Sequence, residues 1–290
     1  MPELPEVETI RRVLKEKLVD RTIIDVEAKL PRLLVNPRDP EHFRLLLRGK
    51  KIYDVLRRGK YLLFDLGDGY VLSHLRMEGK YDFISVGAPL PAHTHVIFVL
   101  DDGERLIYRD VRQFGTMEWV RRASLSTHPS LQKLGPEPLD DGFTLSVWNE
   151  RLNLRKGQMI KAFLLDQTNI AGMGNIYVDE ALHLARIHPK TQVGRLSSKK
   201  RVALYDAIRN VLQRGLEAGG ASVRTYRAPD EALGYFQLEL RVYGRAGEAC
   251  PRCGQIIERM MVAGRGTHIC PSCQKQPNDH CVVRSKEKHA

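Results

Sequence analysis

No stretch of the sequence approaches the ~18 consecutive apolar residues of a membrane-spanning helix. Its start carries Glu3, Glu6 and Glu8, where an export leader needs a cationic and then an apolar run. These two absences argue against membrane insertion and secretion, and a soluble, intracellular chain is the expectation. Internal repeats and low-complexity tracts are also missing, which excludes a repeat array and a compositionally biased polymer. Cysteine is sparse, five in 290 residues, and in a reducing compartment these would not be structural disulfides. Acidic residues are the telling deficit: 35 Asp and Glu stand against 46 Lys and Arg, a formal net charge of +11. That balance favours a polyanionic partner, nucleic acid before an anionic membrane.

What is present describes a globular chain, 42% apolar and long enough for two or three packed units. From Pro5, the residues Val7, Ile10, Val13, Leu14 and Leu18 recur at helical spacing, with proline and glutamates suited to a first turn. From about Thr22 to Val120 the pattern changes. KIYDVL, KYLLFDL, YVLSHLRM, THVIFVL and RLIYRDV are rich in branched and aromatic residues, and LGDGY and LDDGE are hairpin turns. An antiparallel sandwich or barrel with the first helix packed on it is expected. After LGPEPL the periodicity predicts helices over about Leu145–Leu154, Lys161–Gln167, Ile176–Ala185 and Ser198–Ala218. Ser197 and Ser198 are candidate caps, and Gly219 is the stop. FQLELRVYG reads as a short strand, and the tail RSKEKHA as loose. The fold class is α+β.

Two stretches carry chemistry. CPRC at Cys250–Cys253 and CPSC at Cys270–Cys273 place four thiolates at the spacing of a tetrahedral zinc site. The IIERMMV and GTHIC segments between them read as a hairpin joined by AGRG. So small a unit needs the metal to hold it together, and a redox C-x-x-C fits a duplicated pair poorly. Cys281 is left over as a plain thiol. Residues 245–290 hold eight Lys or Arg and four Asp or Glu, a composition common in small nucleic-acid readers. In AGMGNIYVDEAL, Gly172 and Gly174 allow a tight turn and Asn175 opens a helix, whose free N–H groups favour an anion, read here as a DNA phosphate. The plainer alternative is an N-cap asparagine after an ordinary turn.

MPELPEVETIRR, HLRMEGKY, RDVRQFG, LLDQTNIAGMGNIYVDEAL, RTYR with FQLELRVYGRAGEACPRCG, and AGRGTHICPSCQ together resemble the formamidopyrimidine-DNA glycosylase family. The resemblance runs from Pro2 to about Gln274. It implies an N-terminal catalytic β-sandwich with a leading helix over 1–132, a helix-two-turn-helix DNA-binding unit over 133–236, and a zinc finger with tail over 237–290. It implies one structural zinc ion, a monomer in the bacterial cytoplasm, and a partner that is double-stranded DNA containing an oxidised purine or an abasic site. DNA would lie in the cleft between the two halves.

The implied catalytic residues are Pro2, Glu3, Glu6, Lys60 and Arg265. Once methionine is removed, Pro2 is the nucleophile. An α-amine titrates near 7.8 against about 10.4 for lysine, so far more of it is neutral at pH 7. Attack on a sugar C1′ expels the base and leaves an iminium that eases elimination. Glu3 is the implied proton donor and Glu6 its helper. Read without the family, these glutamates merely decorate a helix start, and Lys60 is a surface lysine. Lys60 is implied in β-elimination; Arg265, flanked by glycines, is implied as a phosphate clamp in δ-elimination.

A glycosylase must also take its base out of the stack and fill the gap. Met77, Arg112 and Phe114 match the family's intercalating trio, although taken alone Met77 and Phe114 read more often as core residues. His74, Arg76, His93, Lys156 and Asn175 match family DNA contacts, Arg155 reinforcing Lys156. Glu78, Ser222, Thr225 and Tyr226 are the implied base pocket. The segment SVRTYRAPDEALGYF departs there from the family's polar-glycine loop, so base preference carries over least. Two alternatives remain: the sister class resembling endonuclease VIII, acting on oxidised pyrimidines, and a non-catalytic zinc-finger DNA-binding protein. The presence of Pro2, Glu3, Lys60 and Arg265 argues against the second, because binding needs no N-terminal amine.

Overall fold

The computed structural model describes residues 1–221 and 235–276. Ser222, Thr225, Tyr226, Cys281 and the RSKEKHA tail lie outside the described residues. Helix α1 (Leu4–Leu18) is followed by β1 (Ile23–Ala28), β2 (Leu34–Asn36) and helix α2 (Pro40–Leu47). Seven strands complete the first half: β3 (Asp54–Arg58), β4 (Tyr61–Asp65), β5 (Gly69–His74), β6 (Lys80–Ile84), β7 (Thr94–Leu100), β8 (Arg105–Arg109) and β9 (Thr116–Arg121).

They form two sheets, of order β1-β7-β8-β6 and β2-β9-β5-β4-β3. LGDGY and LDDGE are the expected hairpin turns, joining β4 to β5 and β7 to β8. One pairing departs from the antiparallel expectation: β2 runs parallel to β9. Helix α2 interrupts the run read as strands alone. Its signal was local: Asp39 caps it, Oδ1 accepting from the His42 N–H at 2.7 Å, and Pro40 occupies its first turn.

A short helix, α3 (Pro129–Gln132), ends the first half, with Leu131 packed on the β2-β9-β5-β4-β3 sheet; the second half is helical: α4 (Leu145–Asn153), α5 (Ile160–Leu165), α6 (Asn175–Leu184) and α7 (Ser198–Glu217). Ser197 caps α7, its hydroxyl accepting from the Lys200 N–H, and Gly219 and Gly220 end it in the left-handed region. A hairpin closes the described chain, β10 (Glu258–Val262) and β11 (Arg265–Ile269). Its turn is Ala263-Gly264, both at positive φ, the geometry that two-residue hairpins require.

FQLELRVYG is not a strand. Phe236–Glu239 make a 3-10 turn. The N–H groups of Arg241, Val242 and Tyr243 all donate to the buried Glu180 carboxylate, each at 2.9 Å. A strand needs those donors for a neighbouring ladder, and here one carboxylate on α6 has taken them.

Helix α1 joins the halves. Val7, Ile10, Leu14 and Leu18 belong to the core between the sheets, whereas Leu4 belongs to the helical core with Trp148, Phe163 and Tyr177. The chain's first turn is therefore packed where the two units meet.

Candidate active site

Glu3 caps α1 and is buried, only 3% exposed. Its carboxylate accepts the N–H groups of Ile176 at 3.0 Å and Tyr177 at 3.4 Å, in the first turn of α6. The N–H groups of Ile176 and Tyr177 at that helix end thus hold Glu3 of the same chain and not a DNA phosphate, which leaves only the Asn175 side chain of this stretch for a phosphate contact. The glycines have a matching reason. Gly174 is the N-cap of α6, and a Cβ there would lie 2.3 Å from Glu3 Cδ. Gly172, at φ +83, accepts the Leu4 N–H at 3.0 Å, and a Cβ on it would strike the Leu4 side chain.

Asn175 is not the cap. It is the first helical residue, and its Nδ2 donates to the Gly266 carbonyl at 2.8 Å, holding the hairpin that carries Arg265.

Glu6 is the second junction. One oxygen accepts the Glu3 N–H at 2.8 Å; the other accepts the Tyr177 hydroxyl at 2.8 Å and the Ala221 N–H at 2.7 Å. Lys60 is buried, and its Nζ donates to the Met173 carbonyl at 2.8 Å. It follows a turn at Gly59 that Glu137 clamps from the segment between the halves. That carboxylate accepts the Gly59 N–H at 2.5 Å, Arg57 at 2.7 Å and Arg58 at 2.8 Å.

Pro2, Glu3, Glu6, Lys60, Met77 and Arg265 line one cavity of about 370 Å³. Burial sets its electrostatics. It pushes the Glu3 carboxyl up to about 7, against the opposing pull of Lys60, with Glu6 adding to the rise. Burial likewise lowers Lys60, opposed by Glu3 and Glu6 and assisted by Arg265. Near neutral pH the site thus holds a carboxyl that both gives and takes protons beside a weakened ammonium. Arg265 is exposed, at the first position of β11, with no carboxylate partner among the described residues.

Met77 and Phe114 are not core residues: they are 37% and 53% exposed, on loops after β5 and before β9. The Arg112 guanidinium lies over the Phe114 ring, 4.9 Å from its centroid. Asp110 shapes that loop, its carboxylate accepting the N–H groups of Arg112, Phe114 and Gly115. His74 is buried edge-on against Tyr61, its Nδ1 accepts the Arg76 N–H at 3.0 Å, and burial takes it down to about 3. It is therefore a neutral ring at working pH. Arg76 and His93 are exposed, both at positive φ. Lys156 and Arg155 are exposed beyond α4, outside the cavity lining; Glu78 is half-buried and outside it too.

Several supporting residues escape a reading of the sequence. Tyr177, Glu137 and Tyr243 touch the site or its frame. Lys161, fully buried, donates to Asp179 at 2.5 Å, and Asp179 accepts the His268 N–H in β11 at 2.9 Å. Their pairing follows from the fold: Ile176 to His183 are all buried, so Asp179 and Glu180 on that helix need partners.

The four cysteines converge. Sγ atoms of Cys250, Cys253, Cys270 and Cys273 all lie within 4.8 Å of one another, with Cys253 3.4 Å from Cys270 and 3.5 Å from Cys273. Four thiolates about 2.3 Å from one tetrahedral zinc stand about 3.8 Å apart, so the donor set fits that ion. Gln274 braces the second knuckle, accepting from the Cys270 N–H and donating to the Ile187 carbonyl of the helical unit.

Comparison with known proteins gives a consistent result. The formamidopyrimidine-DNA glycosylase N-terminal domain matches residues 1–117, the H2TH domain of the same enzymes matches 134–227, and a zinc finger found in FPG and IleRS matches 247–276. The chain is 47% identical to a formamidopyrimidine-DNA glycosylase of Bacillus licheniformis, over 95% of this chain and all of that one. It is 48% identical to one from Geobacillus kaustophilus at the same coverage. Among solved structures, a Lactococcus lactis FPG mutant in complex with DNA containing Fapy-dG superposes with a TM-score of 0.89, at 44% identity over 95% of this chain and 100% of that chain. A MutM complex with DNA containing carbocyclic 8-oxo-G gives 0.88 at 43%, with the same coverage.

Proposed function

The chain belongs to the formamidopyrimidine-DNA glycosylase family, and on that premise we propose that it excises oxidised purines from double-stranded DNA and cleaves the abasic strand. The observation that carries this reading is the cavity joining Pro2 and Lys60 to a Glu3 carboxyl that burial has brought near neutrality. The three units are 1–132, 133–236 and 237–290, and the place of work is the bacterial cytoplasm. No helix among the described residues is long and apolar enough to cross a membrane.

Removal of Met1 frees the Pro2 nitrogen, which an amide otherwise makes unreactive. That nitrogen attacks C1′ of the damaged nucleotide, the bond to the base breaks with its electron pair leaving on the base, and the proton shed by the proline nitrogen neutralises the departing base. Glu3, protonated about half the time near pH 7, gives its proton to the ring oxygen as the sugar opens, and the C1′–nitrogen bond becomes an iminium. The iminium acidifies the adjacent C2′–H; loss of that proton expels the 3′ phosphate, and a second elimination expels the 5′ phosphate. Lys60, with its lowered pKa, moves protons in these steps, Glu6 holds the Glu3 backbone, and Arg265 and Asn175 contact phosphate. Met77, Arg112 and Phe114 fill the gap left by the extruded base. Glu78, Ser222, Thr225 and Tyr226 read that base, while His74, Arg76, His93 and Lys156 hold the backbone. Zinc, when bound by the four cysteines, supplies structure and no reaction step.

Borohydride trapping on an 8-oxoguanine duplex tests the reading. A covalent adduct is expected that Pro2→Gly abolishes and that a duplex carrying an oxidised pyrimidine forms more slowly. A crosslink mapped to any other residue, or faster trapping on the pyrimidine lesion, overturns it.

A further inference from the structure

Away from the active site, three clefts of about 510, 390 and 550 Å³ run together. Arg214 and Arg241 line both the first and the second, and Arg252 lines both the first and the third. They gather at the C-terminal end of α6: Leu184 lines one and Arg186 another. The opposite end of that helix meets Glu3. Ten residues separate the ends, about 15 Å of helix axis, so this face is distinct from the catalytic cavity.

Its charge is strongly one-sided. Arg186, Lys200, Arg214, Arg241, Arg245 and Arg252 line it, and Lys275 completes it. Against them stand Glu239, paired with Arg214 at 2.5 Å, Glu248, paired with Arg245 at 2.8 Å, and Asp206. Lys200 and Arg252 also donate to the last carbonyls of the α6 turn. The side chains of Arg186, Arg241 and Lys275 have no carboxylate partner among the described residues. Gathered cations repel one another, and folding has held five of these seven together without a paired acid among the described residues. Of the leucines lining the face, Leu184 and Leu240 are half-buried against the fold and Leu238 protrudes at 80% exposure. A peptide partner needs a recess for its apolar anchor, whereas a rod of phosphates needs only spaced cations.

We propose that this second basic face binds the phosphates of a second DNA segment, so that the enzyme passes between segments without full release. The proposal rests on DNA being the substrate, and the test separates the two. Enzyme is bound to a labelled undamaged duplex and chased with rising unlabelled duplex in stopped flow. The expected dissociation rate climbs with chase concentration in the wild type and stays flat in the triple variant R186E/R241E/K275E, whose single-turnover excision is unchanged. Binding of the second segment in that variant should lose a log-log salt slope of about 2.7, at roughly 0.9 per phosphate contact. If charge reversal lowers the zinc content or unfolds the chain, Arg241→Gln alone should still reduce the climb. A flat wild-type rate, a climb retained in the folded variants, or parallel loss of excision overturns the proposal. So does a chase that works with polyglutamate and not with duplex, which would assign the face to an acidic protein. Failure of the first duplex to bind at all would instead overturn the substrate reading.

Discussion

Glu3→Gln should change how the stability of the fold depends on pH, apart from its effect on catalysis. The carboxyl titrates at 4.5 in an open chain and at about 7 in the folded site, with burial the leading cause. Because its folded pKa is raised, Glu3 contributes stability that is fully present below 4.5 and lost as pH rises through 7. At pH 5.5 the folded chain still holds this proton and the unfolded chain has mostly lost it. The 1.5 units between 5.5 and 7, at about 1.36 kcal/mol each, give about 2 kcal/mol, and by pH 8 nothing remains. Glutamine has no such proton. The stability gap, wild type minus variant, should therefore shrink by about 2 kcal/mol between pH 5.5 and 8. Loss of the Glu3 charge also leaves buried Lys60 harder to protonate, which adds to the same sign. Urea unfolding of the zinc-loaded proteins at several pH values measures the gap, and the difference is independent of the hydrogen bonds glutamine fails to make. Parallel stability curves for the two proteins would refute the argument that burial controls this carboxyl. Excision should be lost in the variant at every pH.

Other perturbations separate the remaining roles. Glu137→Gln removes the charge between Arg57 and Arg58 and loosens the turn before Lys60; it should cost about 3 kcal/mol in denaturant unfolding and slow strand cleavage. Gly174→Ala forces a methyl into the Glu3 carboxyl, so excision should collapse while affinity for undamaged duplex is retained in a filter-binding assay. His74→Gln should leave the salt dependence of DNA binding unchanged, because the ring is neutral there, whereas Arg265→Gln should reduce the slope by about 0.9. Chelation should release one zinc per chain and abolish DNA binding, as read by metal analysis and a mobility shift.

Much of the architecture is legible in short windows of sequence. Alternating branched residues and two turn signals gave the sandwich, Ser197 and Gly219 bracketed the longest helix, and duplicated cysteine pairs located the metal centre. What escaped depends on partners far apart in the chain. FQLELRVYG has strand composition, yet its donors belong to a glutamate some sixty residues earlier. The anion at the AGMGN helix was misjudged because Glu3 lies 173 positions away. Glu137 lies in LGPEPL, where the strands stop, and its role depends on a turn 78 residues before it. The candidate site residues came through family likeness; the protonation of Glu3 and Lys60 was not legible at all, since burial is a property of the assembled pair of units.

The stitching of α1 into both cores has a consequence for when the protein becomes dangerous to a genome. Under the proposed mechanism, the attacking amine leaves the ribosome long before the rest of the chain is made. Glu3 has no seat until the backbone of Ile176 and Tyr177 exists, and Glu6 waits for Ala221. On that mechanism the amine has no seated carboxylates beside it until most of the chain has been made.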